Sequence, residues 1–192
     1  MMRFDTIIIG GGLAGMSIAG YLQEHGRKTA VISFGASLHE PDYSAYRASG
    51  GRLMMGDAVI GADYSEGRLR AVFTENLGTF PLEADTFVIA TGKFMSKGLV
   101  ADMDKVFEPA LGLDVRYDND RSQWFAPDFS DRQRFLDFGV IVDEQYHPLK
   151  GGVAIGNLFA AGEIIEGMYG TSEDSLEKIR EQAMEVAGMI AG

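Results

Sequence analysis

Residues 4–15, Phe-Asp-Thr-Ile-Ile-Ile-Gly-Gly-Gly-Leu-Ala-Gly, decide the fold of this chain. The short β-branched run over 4–9 ends in glycine and predicts a buried strand. An apolar-periodic segment over 13–25, stopped by Gly26, predicts a helix. A second apolar run, residues 29–33, predicts another buried strand. The sequence therefore predicts a βαβ unit with parallel strands and a right-handed crossover.

The glycines between the first strand and the helix fit the pattern G-x-G-x-x-G. Gly10 permits the tight turn, Gly12 lets a pyrophosphate approach the backbone, and Gly15 lets helix and strand pack closely. The first-turn N–H groups, including those of Leu13 and Ala14, and the helix dipole attract phosphate. This context predicts dinucleotide binding, and the alternative is a glycine turn that binds no ligand.

The end of the second predicted strand lacks the acidic residue that usually holds the adenosine ribose. Ser33 stands at this place and is followed by Phe34. A hydroxyl makes fewer and weaker hydrogen bonds than a carboxylate. We predict that both residues lie near the adenosine and that this position does not discriminate between cofactors.

The middle of the chain predicts an antiparallel β-meander over about residues 54–82, because apolar and polar residues alternate in part and glycine turns interrupt the pattern. Its strands are expected near 54–64, 68–75 and 79–82. Further short strands are expected at 86–90, 139–143 and 153–161, ordered loops over 93–137, and an amphipathic helix over 173–190 that is capped by Thr171 or Ser172.

Two later motifs narrow the choice of ligand class. Ala90-Thr91-Gly92 closes one predicted strand, and Asn157-Leu158-Phe159-Ala160-Ala161-Gly162-Glu163 ends another with an acid after a glycine. Ligands in open α/β sheets bind at the carboxyl ends of strands, so three motifs can meet on one elongated ligand. A plain NAD domain needs only the first motif. For Glu163 the alternative is an exposed acid that merely ends a strand.

Composition and charge exclude several classes of function. The chain has no cysteine, which excludes disulfides, zinc ribbons, iron–sulfur clusters and thiol catalysis. Its 17 basic and 28 acidic residues give a net charge of −11, which disfavours nucleic acid and anionic lipid as partners. No apolar run is long enough to span a bilayer and no signal peptide is evident, so we expect a cytoplasmic protein without direct membrane insertion.

Catalytic and metal-binding residues are not evident. The three histidines are scattered without metal-ligand spacing, so no metal site is predicted. No nucleophile–base pair or carboxylate pair with catalytic spacing can be argued, and the catalytic residues stay unknown. Lys93, which follows the second motif, is interpreted as a solvated lysine; the alternative is a lysine that approaches the ligand or a substrate anion.

Taken together, the three motifs and the meander resemble the FAD-binding domain of the two-dinucleotide-fold flavoproteins, the glutathione-reductase-like architecture. The resemblance implies an α/β fold with a Rossmann-like parallel sheet and an inserted antiparallel β-meander, and it implies FAD as the cofactor. Thr91, Gly92, Gly162 and Glu163 would then line the flavin end, with Glu163 at the position that holds the ribityl chain. By the same resemblance, Val59 offers backbone contacts to adenine.

A closer resemblance, to the family of B subunits of anaerobic glycerol-3-phosphate dehydrogenases, covers most of the chain. It rests on Ala90-Thr91-Gly92-Lys93-Phe94, on Ser96-Lys97-Gly98-Leu99-Val100, and on Glu108-Pro109 with Leu111-Gly112-Leu113-Asp114-Val115. It implies a flavoprotein oxidoreductase subunit that transfers electrons through FAD. It also implies a catalytic partner subunit and a membrane-anchoring subunit, through which a cytoplasmic protein would associate with the membrane.

The chain departs from that family in one large respect. Family members carry a substrate or cap region between the second strand and the meander, and here that region is missing near residues 39–46. Residues 1–192 are therefore expected to form a single FAD-binding domain. Three hypotheses stay open: a flavin oxidoreductase subunit, an FAD- or nucleotide-binding module that catalyses nothing, and an NAD-dependent enzyme.

Overall fold

The fold was analysed in a computed structural model, which describes residues 2–35, 43–128 and 130–192. The strands are β1 Met2–Ile9, β2 Thr29–Ser33, β3 Arg52–Met55, β4 Val59–Ser65, β5 Arg68–Thr74, β6 Leu82–Ile89, β7 Val100–Ala101, β8 Val106–Phe107, β9 Val115–Arg116, β10 Gly139–Val140, β11 Leu149–Lys150, β12 Val153–Ala154 and β13 Leu158–Ala160. The α-helices are α1 Leu13–Glu24, α2 Tyr43–Ala48 and α3 Glu173–Ala191, and 3-10 turns cover Arg121–Gln123, Arg134–Asp137 and Gly162–Ile164.

A seven-stranded sheet organises the fold, in the order β3-β2-β1-β6-β5-β4, with β13 also paired to β6. Strands β3, β2, β1, β6 and β13 run parallel to one another, whereas β4–β5 and β5–β6 pair antiparallel. The sheet forks at β6, because Leu82 and Glu83 pair with β5 while residues 87–89 pair with β13. The predicted α/β class with a parallel Rossmann-like sheet and an antiparallel extension is confirmed.

Strand β2 and the last residues of β1 and β6 are buried on both faces, which explains their continuous apolar sequences, whereas β3 at the sheet edge is partly exposed. On one face Ile8, Val31 and Val88 pack under α1 and α3, which also pack against each other. On the other face Ile7 and Phe87 contact the irregular segment that follows β6. The βαβ unit thus has helices on one side and ordered loops on the other.

The predicted meander differs from the observed one in its strand boundaries. The strand expected near 54–64 is two strands, because Gly56, with φ of 67°, and a turn separate β3 from β4. β3 joins the parallel sheet beside β2. The strands expected near 79–82 and 86–90 are one strand, β6, because continuous pairing with β1 keeps the polar residues between them extended.

Elements in the second half of the chain are shorter than predicted, except for the last helix. The strand expected over 153–161 is divided into β12 and β13, and that over 139–143 is the two-residue β10. Helix α3 begins after Ser172, whose hydroxyl accepts a hydrogen bond from the Ser175 backbone N–H in a capping box. Of the two predicted caps, Ser172 is therefore correct.

The segment predicted to form ordered loops over 93–137 is held by buried side chains. Glu108 is buried and accepts backbone hydrogen bonds from Ala110 and Leu111, while burial raises the pKa of its carboxyl. Trp124 is buried and packs edge-on against Phe138, which precedes β10. Within the described ranges, no helix is long and apolar enough to cross a membrane.

Candidate functional site

The carboxyl ends of the parallel strands bring the predicted site residues to one edge of the sheet. β1 leads into the glycine motif, β2 into Phe34, β6 into Thr91 and Gly92, and β13 into Gly162. These connections are neighbours because β2, β1, β6 and β13 lie side by side. The edge is therefore the place where an elongated ligand can contact all three motifs.

The glycine motif packs the turn between β1 and α1 tightly against the end of β6 and leaves the first turn of α1 without a side-chain cap. Gly10 has φ of +112°, and a Cβ atom there would collide with the carbonyl oxygen of Ala90. The N-cap of α1 is Gly12, which has no side chain to accept a hydrogen bond from the first-turn N–H groups. The first turn of α1, which begins with Leu13, contains no acidic residue. The helix thus presents N–H groups and a positive dipole end, which suit a phosphate.

The third motif packs directly on the first. Gly162 has φ of +73°, and a Cβ atom there would lie 2.7 Å from the Cβ of Ala14. Its N–H donates to the side-chain oxygen of Gln182 at 3.0 Å, which ties the turn to α3. A Cβ atom at Gly92 would lie 3.9 Å from Oε2 of Glu163, so the second motif meets the third as well. The structure therefore brings the three predicted motifs together.

Glu163 is half-buried and already has one contact within its own chain. Its Oε1 accepts a hydrogen bond from the Gly170 backbone N–H at 2.5 Å. This bond fixes the turn that precedes α3 against the carboxyl edge. The carboxylate is thus held in place at the edge rather than exposed beyond it.

Lys93 lies at the same edge, and its interpretation as a solvated lysine is wrong. The side chain is only 8% exposed, and its ammonium donates to the carbonyl oxygen of Leu136. Burial lowers the pKa of Lys93 to about 8, and the nearby carboxylates of Glu163 and Asp137 oppose that shift. The nearby carboxylates therefore offset only part of the cost of burying the Lys93 charge next to the second motif.

Polar groups of the chain at this edge lack hydrogen-bond partners among the described residues, and a dinucleotide carries groups that would supply them. The hydroxyl oxygen of Thr91 is buried and has no hydrogen-bond partner within the described ranges. Leaving a buried hydroxyl without a partner costs about 1–3 kcal/mol. Together with the uncapped N-terminus of α1 and the glycine turns, this oxygen indicates a surface that a bound cofactor would complete.

The ends of β2 and β3 bring Ser33 and Val59, which were predicted from the sequence, close to Asp57, which was not. Ser33 is buried, and its hydroxyl donates to the carbonyl of Gly35 at 3.1 Å. Val59 is buried at the start of β4, two residues after Asp57, whose N–H donates to the carbonyl of Ser33 at 3.2 Å. Oδ2 of Asp57 is buried without a partner in the described part of the chain. Asp57 lies between the end of β3 and the start of β4. A prediction of two strands here would have placed Asp57 at a strand end, but the sequence pattern predicts one strand.

Metal binding gains no support from the side chains at the edge. Among the described residues, no group of three or more His, Cys, Asp or Glu side chains is arranged to hold a metal ion.

Comparison with known proteins gives a family match over most of the chain. The model of a family described as "FAD binding domain" matches residues 5–51 and 38–175. The B subunit of an anaerobic glycerol-3-phosphate dehydrogenase from Yersinia pseudotuberculosis is 40% identical over 133 residues, which cover 69% of this chain and 31% of that protein. The protein of the same name from Pectobacterium carotovorum is 41% identical with the same coverage. The chain spans less than a third of the length of these relatives.

Solved structures share the fold at low sequence identity. A thioredoxin reductase from Gloeobacter violaceus superimposes with a TM-score of 0.58 at 13% identity, over 100% of this chain and 95% of that one. THI4 from Thermovibrio ammonificans gives a TM-score of 0.55 at 12% identity, over 98% and 89% of the two chains. These similarities support the overall fold and no particular activity.

Proposed function

The chain belongs to the family of FAD binding domains, and we propose that it is the cofactor-binding part of a flavoprotein oxidoreductase related to the B subunit of glycerol-3-phosphate dehydrogenases. The cofactor of this family is FAD. The observation that carries the proposal is the meeting of three glycine-bearing strand ends, at Gly10, Gly92 and Gly162, on one edge of the sheet. A domain that binds only one nucleotide half does not need the second and third motifs.

The diphosphate is assigned to the glycine motif. Gly10, Gly12, Leu13 and Ala14 would bind it through backbone N–H groups and the dipole of α1. Gly15 would keep the helix close to the sheet, since a Cβ atom there would collide with the carbonyl of Gly10. These roles predict that bulk added at Gly12 blocks the ligand rather than the fold.

The two ends of the cofactor are assigned to different strand ends. Ser33, Phe34 and Val59 would lie along the adenosine. Thr91, Gly92, Gly162 and Glu163 would line the flavin end, where the orphaned Thr91 hydroxyl and the Glu163 carboxylate offer an unused donor and an acceptor. When bound, FAD supplies hydride or stepwise electron transfer, and the protein supplies binding and orientation.

The domain organisation is part of the proposal. We assign residues 1–192 to one FAD-binding domain and place the missing substrate or cap region near 39–46, of which residues 39–42 lie outside the described ranges. The relatives are named as one subunit of a dehydrogenase. From the family resemblance we propose a catalytic partner subunit and a membrane-anchoring subunit as partners, alongside FAD.

A binding module without catalysis is the second candidate, and one observation favours it. The match covers only 31% of the relatives' length, so more than two thirds of those proteins lies outside the matched region. Such a module would hold FAD with the residues given above but would not reduce it.

A visible absorption spectrum of the purified protein, followed by titration with FAD, tests the proposal. We expect a yellow protein, or a colourless one that takes up added FAD. Protein that neither carries nor takes up flavin would overturn the FAD assignment, and binding of NAD instead would favour a nicotinamide enzyme. Flavin that stays oxidised on addition of glycerol 3-phosphate and the partner subunit would favour the module without catalysis.

A further inference from the structure

A lysine and a phenylalanine form a bridge across the glycine motif. Nζ of Lys97 lies 4.4 Å from the centroid of the Phe34 ring. Phe34 follows β2, and Lys97 belongs to the turn after β6. Because β1 lies between β2 and β6 in the sheet, the contact passes over the end of β1, where the glycine motif begins. Two strand spacings, about 10 Å, separate the connections that the bridge joins.

The turn that carries Lys97 is fixed rather than loosely placed. The Ser96 hydroxyl donates to the carbonyl of Thr91 at 2.6 Å, and the Gly98 N–H donates to the carbonyl of Lys93 at 2.9 Å. Lys97 itself has φ of +61°, a left-handed conformation that costs a residue with a Cβ atom about 1 kcal/mol. Such conformations persist where the surrounding structure imposes them, and they cluster at ligand sites.

The charge of Lys97 suits its location. The chain carries a net charge of −11, so a dianionic diphosphate meets a repulsive protein unless the binding surface offers local positive charge. The first turn of α1 contributes no acidic side chain. The other lysine of this segment, Lys93, is buried and donates to Leu136. Lys97 is exposed and contacts an aromatic face, a contact worth about 0.5–1 kcal/mol at an exposed site.

We propose that Lys97 binds the diphosphate of FAD from above the glycine motif, leaving its contact with the Phe34 ring when the ligand is present. The inference rests on the proposed function and adds a cation to a site otherwise made of backbone N–H groups. An ammonium contributes little geometric selectivity, so its effect is on affinity and on the dependence of affinity on salt. A weak cation–π contact gives up the ammonium readily to a stronger, charge-assisted hydrogen bond with phosphate.

A second lysine in the chain provides a matched control. Nζ of Lys105 lies 5.2 Å from the centroid of the Phe107 ring, so the type of contact is the same. Phe107 belongs to β8, which pairs with β7 outside the seven-stranded sheet. Removal of the Lys105 charge changes the net charge of the protein by the same amount as removal of the Lys97 charge, but away from the glycine motif.

The test compares FAD dissociation constants of the wild type, Lys97→Met, Lys97→Arg and Lys105→Met, measured by quenching of flavin fluorescence at low and high salt. We expect Lys97→Met to weaken FAD binding about 10-fold at low salt, with a smaller salt dependence than the wild type. Lys97→Arg should retain most of the affinity, and Lys105→Met should bind as the wild type does. Thermal unfolding of each variant confirms that it is folded.

Each other outcome counts against the inference in a distinguishable way. Equal FAD affinity in the wild type and Lys97→Met would overturn it while the proposed function stands. An equal loss in Lys105→Met would attribute the effect to net charge and not to the bridge, which also overturns it. A wild-type protein that binds no FAD would remove the proposed function and, with it, this inference.

Discussion

The two ends of the parallel sheet differ in how completely the chain satisfies the hydrogen bonds of their polar groups. At the amino end, the buried amide of Asn157 makes hydrogen bonds of 3.0 and 2.8 Å with the backbone of Leu69 and one of 3.1 Å with the carbonyl of Asp85. On the surface beside it, Arg3 pairs with the Asp85 carboxylate at 2.5 Å. The polar groups of this end are thus satisfied by the chain itself.

At the carboxyl end, the chain leaves polar groups incompletely satisfied. The Thr91 hydroxyl has no partner in the described part of the chain, α1 has no side-chain cap at Gly12, and the buried ammonium of Lys93 donates to a neutral carbonyl. Proteins violate local rules of stability mainly at functional sites. This difference supports the proposal that the carboxyl end binds the cofactor, whereas the polar groups of the amino end stabilise the fold.

The largest effect is expected at the glycine motif. Gly12→Val should reduce FAD affinity by more than about 100-fold, because the side chain occupies the space where the pyrophosphate approaches the backbone. The measurement is an FAD titration. A suitable control is Gly20→Val, in the same helix, since a Cβ atom at Gly20 has no neighbour within 4 Å. Unchanged flavin retention in Gly12→Val would refute the assignment of this edge as the FAD site.

The next largest effect is expected at the amino end, and it concerns stability only. Asn157→Leu should lower the free energy of unfolding by about 2–4 kcal/mol, because it leaves the buried N–H and C=O groups of Leu69 and the part-buried carbonyl of Asp85 without this partner. FAD affinity should not change. Asn76→Ala, at an exposed amide that donates to Gly56, should cost less than about 1 kcal/mol. Urea denaturation measures the stability of both variants. Weaker FAD binding by folded Asn157→Leu would mean that the amino end also contributes to FAD binding, against the proposed difference between the two ends.

The parts of the structure that the sequence predicts best are those with local signals. The β1–α1–β2 unit has a β-branched run, a glycine turn and a helix stop within one short stretch, and its boundaries agree closely with the predicted ones. The Ser172 cap of α3 is likewise encoded within four residues. The arrival of all three motifs at one edge followed from parallel strand order, which the βαβ pattern implies.

The features that the sequence did not predict depend on distant contacts. β3 is a separate strand because it pairs with β2, and no residue near Gly56 encodes that partner. The order of residues 93–137 depends partly on Asp114, whose carboxylate accepts the N–H groups of Gly151 and Gly152. From the sequence, Lys93 is interpreted as solvated because lysine is rarely buried. The contact with Leu136 depends on the fold and has no signal in the sequence near Lys93.

The third effect concerns the cost of placing a lysine at the carboxyl end. The pKa of Lys93 in the folded protein is about 8, below its ordinary value of 10.5, so the folded state disfavours the charged form. This cost is fully present below pH 8 and disappears as the pH rises towards 10.5. Lys93→Met should therefore raise the free energy of unfolding at pH 7 by about 1–2 kcal/mol, after loss of the bond to Leu136.

Urea denaturation of the wild type and Lys93→Met across this pH range measures the effect. The stability difference should shrink between pH 8 and 10.5. Lys178→Met, which removes an exposed lysine from α3, should show no such trend. A stability difference that stays constant across the pH range would mean that burial does not disfavour the charged form of Lys93. The contrast between the two ends would then depend on Thr91 and the N-terminus of α1 alone.

The smallest effect is expected at Glu163, because its carboxylate serves both the chain and the proposed ligand. Glu163→Ala should weaken FAD binding about 10-fold, since one charge-assisted hydrogen bond to the ribityl chain is lost. Glu163→Gln keeps an oxygen that can accept the Gly170 N–H, so it separates the two roles. If the carboxylate binds the ligand, Glu163→Gln should fold as the wild type does and still lose affinity. Equal FAD affinity in the wild type and both variants would make Glu163 a residue of the fold, like Asn157 at the opposite end.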